Sequence, residues 1–101
     1  MAIYLGPLKI DTPVFLAPMT GITDVPFRRL VRDLGGGLMF SEMVASRELL
    51  RKTNRSVRMI ERDSATGIHA VQLAGRDPQM MAEAARLNEA SGADVIDINM
   101  G

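Results

Sequence analysis

The sequence predicts an α/β fold: parallel strands joined by crossover helices and entered through a short N-terminal hairpin. Three observations carry this. Short apolar runs alternate with helical stretches along the 101 residues. The helical stretches are bracketed by capping residues at one end and glycine at the other. The apolar runs finish in polar or proline-bearing segments, the pattern of strands whose carboxyl ends carry chemistry.

The elements follow in order. Ile3-Tyr4-Leu5 and Leu8-Lys9-Ile10 flank Gly6-Pro7 and read as a hairpin. Pro13 opens the run Val14-Phe15-Leu16-Ala17, closed by Pro18; a continuous apolar run of this length fits a strand covered on both faces. Thr23 or Asp24 caps a helix with Pro26 near its first turn, and Phe27, Leu30, Val31 and Leu34 form one apolar stripe. Gly35-Gly36-Gly37 stops it. Leu38-Met39-Phe40 is a second strand with Ser41-Glu42-Met43 as its polar exit. Residues 46–62 give a broken helical pattern around Leu49, Leu50, Val57, Met59 and Ile60, interrupted at Thr53-Asn54. Residues 67–73 form a third strand. Asp77-Pro78 starts the clearest helix, which Gly92 ends, and residues 95–100 form a fourth strand. Four strands in this length make about half of an eight-stranded barrel, which needs ~250 residues. A doubly wound sheet fits the same alternation, and periodicity does not choose between them.

Composition excludes several classes. Hydrophobic residues are 47% and charged residues 24%, as in a globular protein and unlike a disordered one. Net charge is zero, so attraction to nucleic acid or to an anionic membrane is not a property of the whole chain. Without Cys there is no disulfide and no thiolate metal site, and the chain is compatible with a reducing cytoplasm. No basic segment followed by an apolar core marks a signal peptide, and no run approaches the ~20 apolar residues of a membrane helix. Charge is nonetheless uneven. Residues 47–62 hold six basic residues against two acids, and residues 63–97 hold two against six. A basic block can contact phosphates, or it can be a solvated helix face; no interleaved aromatics indicate base stacking.

The chemistry-bearing positions lie at strand exits. Period-2 spacing puts Val95, Asp97 and Asn99 on one face of the fourth strand and Ile96, Ile98 and Met100 on the other, the latter suited to packing against helices. Asp97 and Asn99 need partners, because an unpaired buried amide or carboxylate is costly. Backbone would serve; alternatively Asn99 faces a ligand. On the third strand Gln72 lies between Ala70 and Ala74, a slot with two donors and an acceptor that suits either a structural amide or a ligand contact. Pro18-Met19-Thr20-Gly21 is a strand exit expected to expose backbone N–H and C=O groups, suited to a flat heteroaromatic ligand. Gly35-Gly36-Gly37 is no phosphate loop, since it precedes a strand and lacks a following Lys-Ser/Thr. His69, the only histidine, sits early on its strand, away from this chemistry. Glu42 either touches substrate or anchors a loop. No metal site is expected.

The segment Leu16-Ala17-Pro18-Met19-Thr20-Gly21-Ile22-Thr23-Asp24-Val25-Pro26-Phe27-Arg28 resembles the tRNA-dihydrouridine synthases, and the match continues through Ser41-Glu42-Met43, residues 71–75 and Asp97-Ile98-Asn99-Met100-Gly101. It covers nearly the whole chain and looks closest to the bacterial B branch; Thr20 stands where Ala is the commoner residue. The resemblance implies the N-terminal half of an FMN-binding TIM (β/α)8 barrel, with a helical tRNA-binding domain farther on. It implies reduction of the C5–C6 double bond of particular uridines in tRNA, with NADPH reloading the flavin. Carried over by position, Pro18, Met19 and Thr20 line the flavin ring, Gln72 hydrogen-bonds a ring edge, and Asn99 lies where flavin and uracil meet. The family motif runs on into Cys-Pro, and that Cys is the general acid. No catalytic residue is therefore expected within residues 1–101, which alone are expected to be inactive. Bare strand edges in such a half-barrel favour self-association. Two other readings compete: another FMN barrel oxidoreductase acting on a small molecule, or a non-catalytic truncated half-barrel.

Overall fold

The computed structural model describes residues 1–41, 44–45 and 67–101. Chain geometry starts with the hairpin, β1 (Ile3–Leu5) and β2 (Leu8–Ile10), paired antiparallel with Ile3 opposite Ile10 and Leu5 opposite Leu8. Gly6 takes φ +55°, the left-handed conformation that a two-residue hairpin turn demands. After the following segment come α1 (Val25–Asp33), β3 (Val44–Ala45), β4 (Ala70–Ala74), α2 (Pro78–Ala90) and β5 (Val95–Ile98). β3, β4 and β5 form one parallel sheet in that order. Parallel strands require long crossovers, and α2 supplies the one between β4 and β5.

Local rules account for both helices. Asp24 rather than Thr23 caps α1: its Oδ1 accepts from Phe27 N at 3.0 Å, and Pro26 falls in the first turn. Asp77 caps α2 twice over, accepting from Gln79 N at 2.9 Å and Met80 N at 3.1 Å. Gly35 at φ +96° follows α1 and Gly92 at φ +99° follows α2, the expected stops. Replacing Asp77 with Ala removes both bonds to the first turn. The expected cost is about 1 kcal/mol, read as a shift of the denaturation midpoint with unchanged slope.

The predicted strands at 14–17 and 38–40 do not extend into full ladders. Each contributes isolated parallel bridges, Leu16 to Met39 and Phe40 to Ala70. Prolines explain the first case. Pro13 and Pro18 flank the run without N–H donors, leaving Leu16 to donate to Leu38 O at 2.9 Å and accept from Phe40 N at 3.3 Å. Four complete parallel strands are therefore not formed among the described residues. The bridges nevertheless place the segments beside one another in chain order, with no reversal of direction across the sheet.

Two small cores hold the layers. Val71, Leu73 and Ala84 are buried together, with Met81, Ala85, Leu87, Ala93 and Ile96 packed around them, so one sheet face rests on α2. On the other side Ile10, Leu38 and Ala70 are buried, joined by Ile3, Phe40, Ile68 and Val95, so the hairpin covers the start of the strands. The alternation of Val71 and Leu73 against Ala70, and of Ile96 against Val95, is the period-2 pattern.

Three burial expectations are corrected. Val14 is 63% exposed and Phe15 also lies open, so the first run is not covered on both faces; only Leu16 is bridged into the structure. The α1 stripe is open at Leu30 and at Leu34, which is 79% exposed, while Arg28 on the same helix is buried. Ile98 and Met100 are exposed, because α2 reaches Ile96 and no farther along β5. Glu42 and Met43, the broken helical pattern at 46–62 and the basic run at 47–62 lie outside the described residues.

Candidate functional site at the strand ends

Side-chain amides meet at the carboxyl ends of β4 and β5. The parallel register sets Gln72 directly opposite Asp97. Gln72 Nε2 donates to Asp97 Oδ2 at 2.7 Å. Asn99, one step of the pleat beyond Asp97, donates from Nδ2 to Gln72 Oε1 at 3.3 Å. Its own backbone N–H continues the ladder to Leu73 O at 2.9 Å, which holds the residue against β4. Gly101 N then donates to Asn99 Oδ1 at 2.8 Å. On the same face of β4, Ala70 is buried in the core beneath the hairpin and Ala74 is half-buried.

The turn after residue 17 is built differently from expectation. Thr23, predicted as a possible helix cap, is completely buried. Its Oγ1 accepts from Met19 N at 3.0 Å and donates to Met19 O at 3.2 Å. Met19 O also accepts from the N–H groups of Ile22 and Thr23, both at 3.0 Å. The Met19 backbone is thus engaged inside its own turn instead of standing open to a ligand. Gly21 at φ +75° permits the reversal. Pro18 and Met19 are half-buried and Thr20 is exposed.

Gln72 and Asn99 are therefore brought into direct contact. Among the described residues no hydrogen bond joins Pro18, Met19 or Thr20 to that pair. The partner of Asp97 is a side chain rather than backbone, and of the two cap candidates Asp24 caps while Thr23 holds the turn. The alternation 95-97-99 held the clue to Asp97, but its pairing with Gln72 needed the register. His69 belongs to the other end of the strands: its backbone N donates to Asp94 Oδ2 at 2.9 Å and its O accepts from Asp94 N at 2.8 Å.

A cavity of about 300 Å³ also lies at that other end, lined by Lys9, Asp11, Thr12, Gly37, Leu38 and Ile68 among others. It sits where the strands begin, beside the hairpin, and shares no residue with the amide cluster. Parallel α/β proteins carry ligands outside the carboxyl ends of their strands, so the amide-bearing end is the functional candidate. Among the described residues no group of three or more His, Cys, Asp or Glu side chains is arranged to hold a metal, and no helix is long and apolar enough to cross a membrane.

A parallel α/β chain with hydrogen-bonded amides at adjacent strand ends defines the class: an α/β protein with its candidate site at the carboxyl ends of its strands. Residues 15–101 match the family model described as dihydrouridine synthase (Dus). The chain is 48% identical over 101 residues to a probable tRNA-dihydrouridine synthase of Rickettsia conorii, covering 98% of this chain and 30% of the relative. It is 50% identical over 102 residues to a probable tRNA-dihydrouridine synthase of Rhodobacter capsulatus, covering 100% and 32%. It is 46% identical over 97 residues to tRNA-dihydrouridine synthase B of Pasteurella multocida, covering 96% and 29%. The chain belongs to the dihydrouridine synthase family, and it spans about three-tenths of the length of these curated relatives.

Proposed function

We propose that the protein containing these residues reduces uridines in tRNA to 5,6-dihydrouridine, with FMN as cofactor and NADPH as reductant. Residues 1–101 are the opening strands and helices of its (β/α)8 barrel. The observation that carries the reading is the Gln72–Asn99 amide pair at the carboxyl ends of β4 and β5, in a chain of this family. The chain-order arrangement of the bridged segments supports the barrel over a doubly wound sheet, in which strand order reverses at a switch point.

The donor set suits the ring of a flavin. Amide N–H and C=O groups match the alternating carbonyl and ring-nitrogen edge of a planar heterocycle, and the small Ala74 stands next along that face. Bound there, FMN supplies the hydride that reduces the uracil C5–C6 bond. In this assignment Gln72 hydrogen-bonds the ring edge, Pro18, Met19 and Thr20 border the ring, and Asn99 orients the uracil beside it. With the Met19 backbone bonded to Thr23, the contacts of that turn toward the ring come from side chains and from Thr20. Completing the reduction takes a proton from a positioned acid. No described residue is assigned that role.

The test is reduction of unmodified tRNA by the intact protein. With NADPH it is expected to form dihydrouridine and to hold flavin after purification. Asn99→Ala is expected to lower kcat/KM about 100-fold, the usual cost of losing one oriented polar group at a reacting centre. A protein that oxidises NADPH with a small enone while leaving tRNA unchanged would overturn the assignment in favour of small-molecule reduction.

A further inference from the structure

The three hydrogen bonds at the strand ends form one directed chain: Gly101 N–H to Asn99 Oδ1, Asn99 Nδ2 to Gln72 Oε1, Gln72 Nε2 to Asp97 Oδ2. Its two ends are chemically unambiguous. A backbone N–H only donates, and a carboxylate only accepts. The two amides between them can each be turned either way in isolation. Here a single orientation satisfies all three bonds, because reversing either amide would set donor against donor or acceptor against acceptor. Asp97 is the stronger anchor, since a bond to a carboxylate is shorter and roughly twice as strong as one between neutral groups, and this is the shortest of the three.

We infer that Asp97 is a positioning residue: through Gln72 it sets the polarity of both amides, so that the strand ends present one fixed pattern of donors and acceptors to a bound heterocycle. Preorganisation of this kind removes the cost of turning amides when the ligand arrives. In this assignment Asp97 acts through Gln72 and not by contacting the ligand. Its consequence for the flavin rests on the proposed function, whereas the polarity chain stands on its own geometry.

In the intact protein, the side-chain amide resonances of Asn99 and the affinity for added FMN read the two parts separately. Asp97→Asn keeps the shape but can donate or accept, so both amide polarities become available. It is expected to shift the Asn99 side-chain resonances and to weaken FMN binding about tenfold, with the melting midpoint moved far less than by a core substitution. Gln72→Ala breaks the chain at its middle link and is expected to shift the Asn99 resonances likewise, so the test survives if one variant fails to fold. Combining Asp97→Asn with Gln72→Glu reverses the bond between residues 72 and 97 while keeping an acceptor toward Asn99. That pair is expected to return the Asn99 resonances toward their original positions without restoring FMN affinity. Unchanged Asn99 resonances in Asp97→Asn overturn the polarity chain. Shifted resonances with unchanged FMN affinity overturn its role toward the ligand. If the parent protein binds no FMN, the cofactor reading fails and the resonances still decide the chain.

Discussion

Gly37→Ala is expected to destabilise the protein by about 3 kcal/mol, the upper end of what overpacking usually costs. A methyl group built on Gly37 falls far inside van der Waals contact of the carbonyl oxygens of Thr12 and Val14. Those atoms are backbone, so they cannot step aside as the end of a flexible side chain would. The approach exists because the segment entering the Leu16–Met39 bridge runs against the one leaving β2. Gly21→Ala makes the comparison sharp. Gly21 has φ +75° and open space around its would-be Cβ, so its cost is conformational strain alone, about 1 kcal/mol. The expected order of denaturation midpoints is therefore parent, Gly21→Ala, then Gly37→Ala well below. The reverse order would show that the 12–14 backbone does not approach Gly37.

Thr23→Val is expected to cost about 2 kcal/mol and to loosen the turn proposed to border the flavin. Valine matches threonine in shape but cannot bond Met19 N or Met19 O, and Oγ1 does both in a completely buried position. Leaving the Met19 N–H without its partner incurs the desolvation penalty of an unsatisfied donor. Thr23→Ser keeps the hydroxyl and loses one methyl group, a loss of about 1 kcal/mol. Amide hydrogen exchange at Met19 separates the two mechanisms. It should accelerate in Thr23→Val and remain slow in Thr23→Ser. Equal exchange in both variants would mean that packing of Thr23, and not its hydroxyl, holds the turn.

Arg28 illustrates how burial departs from pattern. Periodicity on α1 marks Phe27, Leu30, Val31 and Leu34 as the inward face, yet Arg28 is 1% exposed and Leu30 and Leu34 lie open. Its Nε donates to Asp24 O at 3.4 Å, within the helix's own first turn. A stripe rule states which side chains would gain from being covered; it does not supply the surface that covers them. The same holds for Val14, Ile98 and Met100. In the proposed barrel, neighbouring strands and helices are what such residues face.

What the amino-acid order determined by itself was local. Asp77 caps, the cap of α1 is narrowed to Thr23 or Asp24, Gly35 and Gly92 stop, Gly6 turns the hairpin, and alternation sorts Val71 and Leu73 from Gln72. Each depends on neighbours within a few residues, where dihedral preference and side-chain reach decide the outcome. Membership of the family was legible too, because it rests on ordered short motifs. Only the tertiary structure decided that Gln72 meets Asp97 across 25 residues, that Asn99 reaches back across 27, and that Gly37 presses on Thr12. Those pairings follow from the register of parallel strands, and the long crossover between two such strands leaves that register to packing and not to any local signal.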